Sequence, residues 1–225
     1  MYILELLASF LAVIIVISLH EFAHAYVADK CGDPTAKLLG RLTLNPFKHF
    51  EPLGILMFAL AGFGWAKPVP INPYNFKNYT KGSVLTSLAG VIVNYISAFL
   101  FYPLYLLIAI HVLPLIAGKY LAIVLQYFFV YLWVYSLNFC VFNLLPFYPL
   151  DGFRVWDAVD KKRGKVFQFL RDKGSFILLG LIFLSFVASR IPQLAVLDIL
   201  GTVIGFIREI LGTPITLFWN WIFAI

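Results

Sequence analysis

The sequence predicts an all-α polytopic membrane protein with four to six transmembrane helices and a short membrane-dipping extended or β-hairpin region after the first helix. Two observations carry that expectation. Of 225 residues, 62% are hydrophobic and 12% charged, where a soluble domain carries about 25% charged residues; the mean hydropathy is +0.91. The apolar residues also gather into runs of the roughly 20 residues that a bilayer crossing needs. A water-soluble globule and a disordered chain are excluded. So is a nucleic-acid-binding module, because the basic excess (17 Lys and Arg against 11 Asp and Glu) sits between apolar runs.

The first run covers residues 3–28 and is interrupted only by Glu5 and the group His20, Glu21, His24. Glu5 replaces a basic leader segment, and no small-residue cleavage site precedes His20, so the run reads as a retained helix. Residues 30–82 follow, with an apolar stretch at 53–65 that is too short and Gly-rich for an ordinary span. Pro68, Pro70 and Pro73 then favour extended backbone, hence the expected hairpin at the membrane edge. Further spans are expected at 83–117, 120–145 and 175–189. The stretch 194–225 is apolar but broken by Arg208, Glu209, Gly212 and Pro214; it reads as one span plus a short helix, or as a re-entrant hairpin. The whole of 1–225 is expected to form one membrane domain, with its core at about 1–160 and C-terminal helices at about 175–225.

Of the 17 Lys and Arg, seven lie within 30–81 and seven within 154–173. The positive-inside tendency puts both segments in the cytoplasm, and the two spans between them agree in parity. Cys31 and Cys140 form no disulfide framework.

The chemistry concentrates in His20-Glu21-Phe22-Ala23-His24. Residues four apart share a helix face, so both imidazoles can reach one ion. Zinc accepts neutral imidazole, and the Glu between can act as a general base. Ionisable residues inside a span are costly and functional by default; the bland alternative is a polar face pairing with another helix. A catalytic zinc site normally has three protein ligands and an open position. Cys31, Asp33, His49, Glu51 and Asp151 are the candidates for the third. Asp151 follows Pro146 and Pro149, which break the helix, and Gly152 permits a tight turn; on the residues alone it serves equally as a ligand or as an ordinary helix-end acid. His49 and Glu51 read as a polar loop pair, His111 as an interfacial histidine, and Trp219 and Trp221 as an interface belt.

HEFAH in an early span, with Asn143-x-x-Pro146-x-x-Pro149-Leu150-Asp151-Gly152 on a later one, resembles the site-2 protease family of intramembrane zinc metalloproteases. Residues 44–54 (LNPFKHFEPLG) and Lys67-Pro68-Val69-Pro70 look like its short members without a PDZ or regulatory domain, and the resemblance covers roughly residues 5–160. It implies one zinc ion per chain held by His20, His24 and Asp151, with Glu21 as catalytic base. It further implies substrate contacts by Asn143 and Asn94, although Val91 stands where the family often has Pro. Glu51 stands where many relatives have Asp. The expected substrates are single-span membrane proteins, cleaved in or near the transmembrane segment by regulated intramembrane proteolysis. The expected location is the plasma membrane, with the lipid bilayer around the protein, no nucleic acid partner, and the zinc site toward the cytoplasm.

Two rivals differ in class. A metal transporter or metal-binding scaffold predicts further ligands along a path, and the other spans are nearly free of acids. A zinc protease of the prenyl-protein processing type expects a third-ligand Glu on a later helix, and no suitable one follows.

Overall fold

A computed structural model of the chain describes residues 2–61, 64–116 and 118–224. Among these, five helices are long and apolar enough to cross a membrane, spanning Ile3–Cys31, Tyr79–Leu115, Lys119–Leu144, Lys165–Arg190 and Ile199–Phe223. The ends of the expected runs at 117 and 225 lie outside the described residues.

Helix α1 (Tyr2–Cys31) leads through a short helix α2 (Thr35–Leu38) and a helix α3 (Pro52–Ala61) to α4 (Tyr79–Leu107). Asn78 caps α4 by accepting the Lys81 N–H at 2.9 Å, which satisfies one of the unpaired donors of the first turn. Helix α5 (Lys119–Leu144) is followed by α6 (Asp151–Val159), α7 (Lys165–Arg190) and α8 (Ile199–Phe223).

Helices α1, α4 and α5 pack on one another. The buried face of α1 carries Ala8, Ala12, Val16, Ala23, Ala25 and Ala28, and side chains this small let helix backbones approach closely in lipid. Contacts fix the directions. Glu5 accepts from the Tyr131 hydroxyl and Ser9 meets Tyr135, so α1 and α5 run the same way. The Lys77 N–H reaches the Cys31 carbonyl at 3.0 Å and His24 meets Thr86, so α4 runs opposite. The C-termini of α1 and α5 and the N-terminus of α4 therefore share one end of the bundle. Helix α8 lies along α4, where Trp219 Nε1 donates to the Phe99 carbonyl and the Tyr102 hydroxyl to Asn220 Oδ1, both at 2.9 Å.

Three expectations are corrected. The described residues contain no strand, so the extended or β hairpin after the first helix is not shown. Much of the stretch 53–65 is helix α3 instead, its residues 62 and 63 lie outside the described residues, and the chain pairs only at an isolated antiparallel bridge between Phe50 and Ala66. A helix satisfies its own backbone groups in apolar surroundings, which a two-stranded hairpin with free edges cannot. The span expected at 175–189 starts earlier, at Lys165, because Lys and Arg are good helix formers and extend the helix into the basic segment. The C-terminal stretch is one continuous helix through Gly212 and Pro214; such residues are tolerated in transmembrane helices where neighbours satisfy the freed backbone.

Candidate metal centre

His20 and His24 stand one turn apart on α1, with their Nε2 atoms 2.9 Å apart. Asp151 Oδ2 lies 3.3 Å from His20 Nε2 and 3.1 Å from His24 Nε2. Exposure is 5%, 4% and 4% for the three residues. Asp151 arrives from the opposite side of the sequence because α5 ends at Leu144 and the chain reverses through Pro146 and Pro149 before α6 begins. Gly152 makes this reversal possible by close approach, with no positive φ: a Cβ there would stand 2.2 Å from the Leu144 carbonyl oxygen.

The imidazoles are held from behind. His24 Nδ1 donates to the Thr86 carbonyl at 2.7 Å, which leaves Nε2 as the lone-pair nitrogen. Asn94, with no exposed surface, places Nδ2 3.0 Å from His20 Nδ1. One turn earlier, Gly90 gives the rings room, since a Cβ there would come within 2.5 Å of His20 Cε1 and His24 Nε2.

This donor set fits a divalent metal. Ligand atoms about 2.0–2.2 Å from a tetrahedral zinc stand about 3.3–3.6 Å apart, so a slight opening of the observed 2.9–3.3 Å triangle suffices. Asp151 Oδ2 is buried with no hydrogen-bond donor of its own beside the two rings. Two imidazoles and one carboxylate leave a position open for a water or a substrate.

Glu21 lies beside the triangle, 9% exposed, and its Oε2 accepts the Val69 N–H at 2.7 Å. A cavity of about 440 Å³ opens over these groups, lined also by Asn143, Ile182 of α7 and Ile204 of α8. Asn143 Nδ2 donates to the Phe139 carbonyl at 3.0 Å. Asn94 is not among the cavity-lining residues. The remaining ligand candidates lie elsewhere. His49 Nε2 donates to the Thr43 carbonyl within its own loop. Asp33 accepts from Thr35, Asn72 and Asn75, and Glu51 and Cys31 do not join the triangle.

The sequence profile of Peptidase family M50 matches residues 107–187, a stretch that contains Asp151. Over that stretch the chain is similar to the M50 family, the site-2 proteases. It is 44% identical over 146 residues to the candidate zinc metalloprotease YwhC of Bacillus subtilis, covering 64% of this chain and 65% of that one. It is 33% identical over 142 residues to Rip2 of Mycobacterium tuberculosis, likewise named a candidate zinc metalloprotease, covering 60% and 50%. A Rip2 of Mycolicibacterium smegmatis is 36% identical over 87 residues, covering 36% and 33%. The chain thus spans just under two thirds of YwhC and half or less of the Rip2 proteins. No solved structure matches significantly.

Three groups at this site are not predicted by the sequence. The Thr86 carbonyl and the Val69 N–H are backbone groups, which leave no side-chain signature. Asn138, which lines the cavity and faces Arg208 Nη1 at 3.4 Å, did carry a signal as a lone amide inside an apolar run.

Proposed function

We propose that this chain is the catalytic part of an intramembrane zinc metalloprotease that hydrolyses a peptide bond in or near the transmembrane segment of single-span membrane proteins. The observation that carries the reading is the convergence, from segments 127 or more residues apart in sequence, of two buried imidazoles and one buried carboxylate beside a Glu. His20, His24 and Asp151 would hold the ion. When bound, zinc supplies Lewis-acid polarisation of the scissile carbonyl and makes a nearby water far more acidic. Glu21 takes the proton and returns it to the departing amine. The Val69 N–H on Oε2 aims that carboxylate while Oε1 stays free for the transfer. Asn143, whose Nδ2 is engaged by Phe139, keeps Oδ1 for a substrate backbone N–H. A helical peptide bond is shielded by its own hydrogen bonds, so the substrate unwinds locally. The backbone around Ala66, extended at its bridge to Phe50, offers partners to the freed strand.

The basic segments flank the end of the bundle that holds the site, which supports a plasma-membrane orientation with the metal toward the cytoplasm. The test compares membrane proteomes of cells carrying the wild-type protein or Glu21→Gln. Uncleaved single-span proteins should accumulate only with the variant, and indistinguishable proteomes would overturn the reading.

A further inference from the structure

Helix α8 carries two charged residues inside its span, Arg208 and Glu209. Arg208 Nη1 donates to Asn138 Oδ1 at 3.4 Å. Asn138 is next to Phe139, whose ring centroid stands 6.3 Å from that of His20, so both charges lie at the depth of the metal centre. Adjacent residues on a helix point about 100° apart, and among the described residues no ion pair joins these two. Glu209 is exposed, and its carboxylate has no hydrogen-bond or ion-pair partner among the described residues. A carboxylate at this depth is costly in lipid unless a partner meets it. Gly201, Gly205, Glu209 and Thr213 recur every four residues, so they share one face of α8. That face opens into a groove of about 630 Å³ beside Trp133 of α5, with Arg208 on its wall. Gly205 keeps the groove open, since a Cβ there would meet nothing within 4 Å.

We propose that this face of α8 is the interface of a homodimer, in which Arg208 of each protomer pairs with the partner's Glu209. Two copies in one bilayer share one topology, so their α8 helices run parallel about a two-fold axis along the membrane normal. Residues of equal depth then face each other, and the cation at 208 meets the anion at 209 twice. The groove carries both charges, so it is complementary to itself. Gly201 and Gly205 let the two backbones approach closely, as small residues do where helices pack in lipid. An acyl chain in the groove leaves Glu209 unpaired, and a substrate helix would have to bring its own cation to this depth. A second copy is the occupant that the groove itself specifies. The inference does not depend on proteolysis.

The test is disulfide trapping in membranes of cells that express the full chain with Cys31 and Cys140 replaced. Thr213→Cys lies on the proposed interface, and Val203→Cys lies about a third of a turn from Glu209 around α8; both positions are exposed. Under mild oxidation Thr213→Cys should give a covalent product of twice the chain mass, and Val203→Cys should not. Arg208→Glu or Glu209→Arg, each added to Thr213→Cys, sets like charges against one another. Either should lower the yield by about tenfold, the order of two lost polar contacts between helices in lipid. The double exchange Arg208→Glu with Glu209→Arg should restore it. Gly205→Leu should lower the yield while leaving the melting temperature of the purified protein unchanged, because its side chain enters open space within one protomer. Equal trapping at positions 213 and 203, or a folded double exchange as poor as either single, would overturn the dimer. So would a Thr213→Cys product whose added mass is that of another protein. If a charge variant does not fold, Gly205→Leu decides alone, and full trapping there ends the proposal.

Discussion

Glu21 and Val69 are joined across 48 residues by one hydrogen bond, the Val69 N–H to Glu21 Oε2 at 2.7 Å. Val69 lies between Pro68 and Pro70, neither of which has an N–H to offer. The segment therefore presents a single donor at this point, and the Val69 side chain packs on Ala25 and Ala36 to keep it there. The loop after the first helix thus acts directly on the carboxylate between the two histidines.

That geometry makes Glu21→Gln a clean substitution. The Gln carbonyl oxygen can still accept the Val69 N–H, so the fold and zinc content should persist. The amide cannot take a proton at neutral pH, so peptide cleavage should drop by about 10²–10⁴-fold, the usual worth of a general base. Zinc analysis and a cleavage assay on the same sample check this, and full activity would remove Glu21 from the mechanism.

Asp151→Ala leaves two ligands on one helix. Zinc affinity should fall by more than the about 10–100-fold that loss of an outer partner brings, as read by competition with a chelator. Undiminished affinity would shift the third ligand to another residue, although His49 and Glu51 both lie outside the triangle.

The His20–His24 pair was legible because polar residues stand out against an apolar run and because four-residue spacing aligns side chains on a helix. Asp151 needed the resemblance, since Pro146, Pro149 and Gly152 only suggested a break in α5. The hairpin is not shown among the described residues: Gly and Pro near an apolar stretch of 13 positions signal irregular backbone, whereas Pro52 at the first position of α3 is also a good helix start. The partners of the imidazoles were beyond reach. Thr86 acts through its carbonyl, and nothing in the sequence around Asn94 shows that it faces His20.

Asp33 ties the loop to the membrane end of α1. It is fully buried and accepts from the Thr35 N–H at 3.1 Å, the Asn72 N–H at 2.7 Å and Asn75 Nδ2 at 2.8 Å. Burial opposes its charge, but these bonds together hold the carboxyl below its ordinary value. A depressed carboxyl contributes stability that is full above the unfolded value of about 3.9 and is lost as pH falls through the lower folded value. Protection of residues 33–76 against hydrogen exchange should therefore be flat from pH 7 to 5 and decline below about pH 4. Asp33→Asn, which turns an acceptor into a donor facing Asn72 or Asn75, should destabilise this loop by about 2–3 kcal/mol at pH 7 and abolish the acid step. An unchanged acid step in that variant would assign it to another group.

The orientation of the centre has its own test. Helix α1 should leave the hydrocarbon near Asp29 and Lys30, which puts His24 roughly 7–9 Å and His20 roughly 13–15 Å inside at 1.5 Å per residue. Asp151 comes to the same end independently, because α5 runs parallel to α1 and ends at Leu144. The basic segments on both sides of the site then favour the cytoplasm. In a background with Cys31 and Cys140 replaced, Arg154→Cys at the cavity mouth and Tyr120→Cys at the start of α5 should report opposite faces, since both positions are exposed. A small membrane-impermeant thiol reagent should modify Arg154→Cys only from the cytoplasmic side and Tyr120→Cys only from outside. Labelling of Arg154→Cys solely from outside would invert the topology. Failure to label it from either side would leave the centre without the water that hydrolysis consumes, and would count against the protease reading itself.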